Sequence, residues 1–298
     1  MYVRRPALNT AEYTALRKSA STPFGEIAYA DKGTGPVALF VHGVLLNGYL
    51  WRGSIEALSD MRRCIAVDLL GHGATKTPPH ADMSFPAQAA MIASFLDALG
   101  LTQVDLVAND SGGGIAQIFA AEHPDRIRTL VLTNCDTHDN YPPKALEQFE
   151  AIVKAGGTGS IGKRMLEDHA FARQTFATAY EDPAILTDEN IDFYLGPLME
   201  SAESIAKLER FILSMDNTNN VRVQPKLRQL TAPTLIIWAT DDVFFDVKWA
   251  YWLKQTFPGA REVIEVPGAR IFFPEERAGW FAHKMREFWA AEVTVPSK

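Results

Sequence analysis

Three polar side chains in a row, Asn109-Asp110-Ser111, interrupt the stretch VDLVANDSGGG at residues 104–114. An apolar run ends at Ala108, glycines occupy 112–114, and IAQIFAAE (115–122) continues with helical character. A strand turns sharply into a helix here, and the turn presents one polar side chain. The two candidates differ in chemistry. Ser111 needs its proton removed before it attacks an acyl carbon, whereas the Asp110 carboxylate is already a nucleophile suited to displacement at an sp³ carbon. In an apolar cavity the same carboxyl would rise in pKa and could move a proton without forming an ester. All three residues also make good helix caps, but capping alone does not call for three glycines.

The elements that must hold this turn can be read from the alternation of apolar runs with helix-like segments. Strands are expected at Gly25–Ala30, Val37–Val41, Cys64–Val67, Val104–Ala108, Thr129–Leu132, Thr234–Trp238 and Glu262–Val266. Helices are expected at Ala87–Leu99, Ile115–Glu122 and Trp280–Ala290. This is the pattern of an α/β fold, a mostly parallel central sheet flanked by helices. The alternation stops between about Thr137 and Leu227. There Lys144–Ala155, Ile161–Tyr180, Asp188–Leu198 and Ile205–Leu213 read as helices, and nothing reads as a strand. The expected organisation is an N-terminal arm with a short helix (1–22), a core in two pieces (23–136 and 228–298) and an inserted helical cap (137–227).

Composition narrows the partners. The chain has 298 residues, a formal net charge of −7 and 47% apolar residues. Such an acidic balance argues against nucleic acid or an anionic membrane surface as the partner. Cys64 and Cys135 are the two cysteines, too few for a disulfide framework or a metal cluster. MYVRRPALNT carries no apolar signal core, and no stretch approaches the roughly 18 apolar residues of a membrane span. A cytoplasmic protein with a small-molecule substrate or ligand, and without metal or cofactor, is expected.

Five marks stand in order along the chain: Val41-His42-Gly43 after a strand, DLLGHG at 68–73, the turn at Asp110, AAEHPDRIRTLVL, and Pro233–Trp238 leading to Asp241-Asp242. Together they resemble the α/β-hydrolase superfamily over about residues 23–290. The aspartate at the turn and the helical insertion look like its haloalkane dehalogenase and epoxide hydrolase branch. In that family the nucleophile sits on a strained elbow with small residues two positions before and after it. Ala108 and Gly112 flank Asp110 in this way, with Gly113 and Ala116 behind, whereas Ser111 would have Asn109 upstream. The resemblance therefore implies Asp110 as nucleophile and the N–H groups of Val44 and Ser111 as the oxyanion site. It implies Asp242 as the supporting acid, with Asp241 a turn residue. His42 and His72 read as buried loop and turn residues, and His123 as a helix end.

One part is missing. An ester on Asp110 must be cleared by water, and that water needs a general base. The resemblance places a histidine in a Gly-His pair after the last strand, but VPGARIFF (266–273) carries Arg270 and Ile271 there, and the next histidine is His283. Asp242 loses the histidine it would orient. Arg270 either pairs with it or points to solvent. The halide-binding tryptophan of dehalogenases is replaced by Ser111, Val44-Leu45 follows His-Gly, and no tryptophan falls between 137 and 227. Tyr141, Tyr180 and Tyr194 are the candidates to protonate an oxirane oxygen, or they only pack. His138, just past Asp136, either reaches the pocket or lies on the surface. Asn109 and Ile271 are expected near the pocket as supports.

Two readings follow, with a lesser third. The first is an enzyme of hydrolase descent acting on a small, largely apolar molecule between core and cap, with Asp110 as nucleophile or as the acid–base group of an isomerase, cyclase or lyase. The second is a ligand-binding pseudoenzyme. Acyl chemistry on Ser111 shares the missing histidine and has the poorer register.

Overall fold

The computed structural model describes residues 7–141 and 143–293. Eight strands form one sheet: β1 Arg17–Thr22, β2 Gly25–Lys32, β3 Val37–Val41, β4 Arg63–Val67, β5 Val104–Asp110, β6 Ile127–Cys135, β7 Thr234–Ala239 and β8 Ala260–Val266. Their spatial order is β1-β2-β4-β3-β5-β6-β7-β8. β1/β2 and β2/β4 pair antiparallel, and the remaining pairs are parallel. The central strands are apolar without alternation because helices cover both faces, so every residue of VALFV in β3 is buried.

The N-terminal region departs from its reading as a peripheral arm. Among the described residues its helix is Thr10–Ala15, opened by a capping box from Asn9 and Glu12, and Arg17–Thr22 pairs along its length with β2. RKSAST has one buried position, Ala20, so an edge strand of this kind carries almost no apolar signal.

Between β6 and β7 the described residues form helices and no strand. The single helix expected over Ile161–Tyr180 is two, Thr158–Glu167 and His169–Phe176. The break falls at Asp168, whose side chain caps the second helix by accepting from Phe171 N. The polar run Asn217–Asn220 opens a further helix, Asn217–Leu227, which sequence reading missed. Asp216 caps it, and Asn220 donates 3.1 Å to Gly114 O of the helix after β5. No helix among the described residues is long and apolar enough to cross a membrane.

Candidate active site

β5 runs to Asp110, its pairing with β6 shifting register between Ala108 and Asp110, and the helix Ser111–Glu122 begins at the next residue. Asp110 takes φ 57° and ψ −139°, a conformation that costs on the order of 1–3 kcal/mol for a residue with a side chain. The glycines around it make the turn possible by close approach. A Cβ on Gly112 would stand 2.2 Å from His42 O, and one on Gly113 would stand 2.3 Å from the Cys135 Cβ. Across the turn, a Cβ on Gly43 would fall 2.1 Å from Asp110 Oδ2. Three bare backbones thus let the first helical turn press between the ends of β3 and β6, and Asp110 is the side chain left in the open corner.

That carboxylate meets the two amides expected at the oxyanion site. Val44 N donates to Asp110 Oδ2 at 2.9 Å, and the Ser111 N–H also stabilises the charged form. Burial outweighs both. It pushes the Asp110 carboxyl up to about 7, with the nearby Asp242 adding to the rise. Asp242 is likewise raised by burial to about 7, against the opposing pull of the Phe244 amide, Asn134 and the Phe245 amide. Asp136 is buried as well, and burial and then Asp110 hold its pKa well above the usual carboxylate range.

Asp110 opens onto a cavity of about 400 Å³ between the sheet and the inserted helices. Val44, Leu45, Phe244 and Ile271 line it from the core, and residues such as Phe149, Met165 and Leu195 line it from the insertion. Among the described residues, Asp110 is the one ionisable side chain in that lining. No member of the lining is a histidine or a tryptophan.

The remaining candidates sort clearly. Ile271 is buried and faces the cavity, and its carbonyl accepts from Asn109 Nδ2 at 3.0 Å. Asn109 also donates to Thr133 Oγ1 at 2.8 Å, so it braces the turn against β6 and the loop after β8. His42 is a buried loop residue. Its Nδ1 lies 2.7 Å from Gly43 O, its Nε2 accepts from Leu69 N, and burial lowers its pKa to about 4. His72 behaves alike, with burial lowering it to about 3.

Five candidates are not brought to the cavity. Arg270 does not pair with Asp242, because its guanidinium donates to Ala177 O while Asn134 Nδ2 takes Asp242 Oδ2 at 2.6 Å. His138 stacks on Trp252 with ring centroids 4.6 Å apart and is absent from the lining. Tyr180 and Tyr194 spend their hydroxyls on buried Glu275, at 2.5 and 2.8 Å, so neither is available to a substrate. Tyr141 lies half-buried outside the lining with its hydroxyl on Ile212 O at 3.3 Å.

Three features were missed from sequence. Asn134 ties β6 to β7 by accepting from Ala239 N at 2.7 Å while holding Asp242. Its position in TNCD, at the end of an apolar strand, was the available signal. Asp136 has an oxygen, Oδ1, with no hydrogen-bond partner among the described residues. Arg52 and Glu275 form a buried ion pair that Tyr194 joins, a contact between residues so distant in sequence that no local pattern announces it.

A mostly parallel sheet, an acidic residue on a strained strand-to-helix turn, and a helical insertion above it define the α/β-hydrolase architecture. Residues 36–277 match the profile of the alpha/beta hydrolase fold, and the chain belongs to that family. Among its relatives, haloalkane dehalogenase 2 of Mycobacterium tuberculosis is 29% identical over 265 residues, covering 85% of this chain and 87% of the relative. Epoxide hydrolase 2 of Siraitia grosvenorii is 28% identical over 280 residues, covering 82% and 84%. In fold, the ligand-free structure of the epoxide hydrolase CorEH matches with a TM-score of 0.77 at 21% identity, covering 92% of this chain and 98% of that one.

Proposed function

We propose that this protein is an enzyme that acts on a small, largely apolar molecule held in the core–cap cavity, with Asp110 as its acid–base group. The observation that carries the reading is the solitary carboxyl in an apolar lining, raised to about 7 and paired through one oxygen with the Val44 amide. A group with that pKa gives and takes a proton at neutral pH with little driving force either way. The Val44 amide holds Oδ2 and the Ser111 amide adds a second hydrogen bond, so the carboxyl is fixed in place as it meets the reacting proton. Ile271 fills the place where a hydrolase of this kind would hold its base, so water activation has no partner in the lining.

Nucleophilic attack by Asp110 on an epoxide or haloalkane carbon is the second reading, favoured by the same carboxylate and by the relatives' activities. Here the first bond would form and the ester would persist. Asp242 and Asn134 support either chemistry by fixing the loop that carries Phe244 and Phe245.

A library of small apolar epoxides, haloalkanes, ketones and amines, incubated with the protein in D2O and followed by NMR and intact-mass spectrometry, separates the two. Acid–base catalysis predicts saturable isomerisation or deuterium uptake that Asp110→Asn abolishes, without an adduct. A stable adduct on Asp110 establishes the nucleophilic reading instead. Turnover that is unchanged in Asp110→Asn refutes both.

A further inference from the structure

The floor of the cavity carries a carboxyl group without a counter-ion. Among the described residues, Asp110 is its one ionisable lining residue, and no basic side chain lines it. Behind Asp110 stand two more buried carboxyls, Asp136 and Asp242, and no basic side chain acts on any of the three. Arg270, the obvious cation in the neighbouring loop, is engaged elsewhere with Ala177 O. Once Asp110 ionises, its negative charge at the cavity floor is therefore unbalanced.

The walls suit a cation as well. Phe149, Phe171, Phe176, Phe244, Phe245 and Phe272 all line the same space. Phe176 and Phe272 are braced on the Tyr180 ring, with centroids 6.2 and 5.1 Å from it. Buried charge is costly unless it is paired, and aromatic rings attract a positive group more than aliphatic walls do.

We propose that the ligand brings the missing charge: the cavity takes a small apolar amine, its ammonium on the Asp110 carboxylate and its hydrocarbon part among the phenylalanines. This deepens the functional reading above, since it rests on Asp110 facing the bound molecule. The proton that Asp110 exchanges is then one carried by nitrogen: an N–H bond breaks, an O–H bond forms, and the amine lone pair is freed inside the cavity. A carboxylate ligand would set a second negative charge against the first with nothing to balance it. An alcohol can donate to the carboxylate but brings no charge.

Binding of an ammonium also shifts protons. The titratable groups around Asp110 are Asp242, Asp136, Cys135 and Tyr141, each held protonated at or above neutrality by burial. In the free protein Asp110 keeps its proton below about pH 7. An ammonium favours the ionised carboxylate, so binding at pH 6 expels that proton, while at pH 8.5 it is already gone.

Isothermal titration calorimetry with n-hexylamine, 1-hexanol and sodium hexanoate, three probes of one chain length, tests the proposal. Hexylamine is expected to bind at least about tenfold more tightly than hexanol at pH 8, and hexanoate not to bind. Buffers of different ionisation enthalpy should report close to one proton released at pH 6 and almost none at pH 8.5. Asp110→Asn should lose the preference for hexylamine while keeping its affinity for hexanol, which shows the cavity intact. Equal binding of hexylamine and hexanol, any binding of hexanoate in preference, or a preference for amine that survives in Asp110→Asn overturns the amine assignment. Asp110-dependent turnover of a neutral molecule, with no amine preference, removes this inference and leaves the functional reading standing. Turnover independent of Asp110 removes both.

Discussion

Burial strips Asp110 of most of its hydration, and among the described residues no side-chain donor replaces it. The Val44 and Ser111 amides recover part of the loss, and the proton supplies the rest. The consequence for stability has a definite sign. The folded-state pKa, about 7, lies above the ordinary 3.8, so the folded chain keeps a proton that the unfolded chain gives up. The stability that this confers is complete below about pH 4 and is lost as pH rises through 7. Asp110→Asn, which carries no proton to lose, is expected to match the wild type near pH 4 and to exceed it at pH 8 by on the order of 2–4 kcal/mol. Guanidinium unfolding at the two pH values reads this directly, and a variant weaker than wild type at pH 8 contradicts it. Catalysis titrates in the opposite sense. If Asp110 is the base, kcat/KM for a turned-over substrate should climb as pH rises to about 7 and then level off. A profile flat from pH 5 to 8 would remove Asp110 from the rate-determining proton transfer.

At the scale of elements, the elbow is legible in sequence because its requirements are local. Ala108, Gly112 and Gly113 have to be small, and they can be counted along VANDSGGG. The helix Ser111–Glu122 gains its position from that smallness, not from capping, since Asp110 makes no side-chain cap bond. Gly113→Ala is therefore expected to cost about 1–3 kcal/mol, although alanine favours helices, because its methyl meets Cys135. A neutral or stabilised variant in urea unfolding would show that this contact can yield. What sequence hid were interactions made across elements. Arg270 sits where pairing with Asp242 looked natural, but the loop after β8 turns its guanidinium to Ala177 O and Asn134 takes the carboxylate. β1 escaped notice for a related reason: an edge strand with one buried side chain shows its pairing only once β2 lies beside it.

Across the whole molecule, the buried pair Arg52 and Glu275 joins the parts that form the cavity. Arg52 belongs to the helix after β3, Glu275 follows β8, and Tyr180 and Tyr194 reach it from the insertion. The tyrosines that the family resemblance offered as proton donors thus hold the insertion to the core. Glu275→Ala leaves the Arg52 charge buried without its carboxylate and the Tyr180 and Tyr194 hydroxyls without the acceptor they donate to, and is expected to destabilise the fold by about 3–5 kcal/mol. Thermal unfolding that moves by no more than a surface substitution would refute this role. The same division explains what the sequence could say of function. The aspartate at the turn and the absence of a histidine near 271 are residue facts, open to reading. The apolar lining that gives Asp110 its pKa is assembled from the inserted helices and three core loops, whose relative placement no local pattern encodes.

The acid–base role turns on one quantity, the protonation of Asp110 in the folded protein. Carbon NMR of protein labelled at the aspartate carboxyl carbons, titrated in wild type and in Asp110→Asn, measures it without a substrate. The predicted result is a carboxyl resonance with a midpoint near 7 that disappears in the variant. A resonance assigned to Asp110 that titrates at or below pH 4 would contradict the acid–base role at its source.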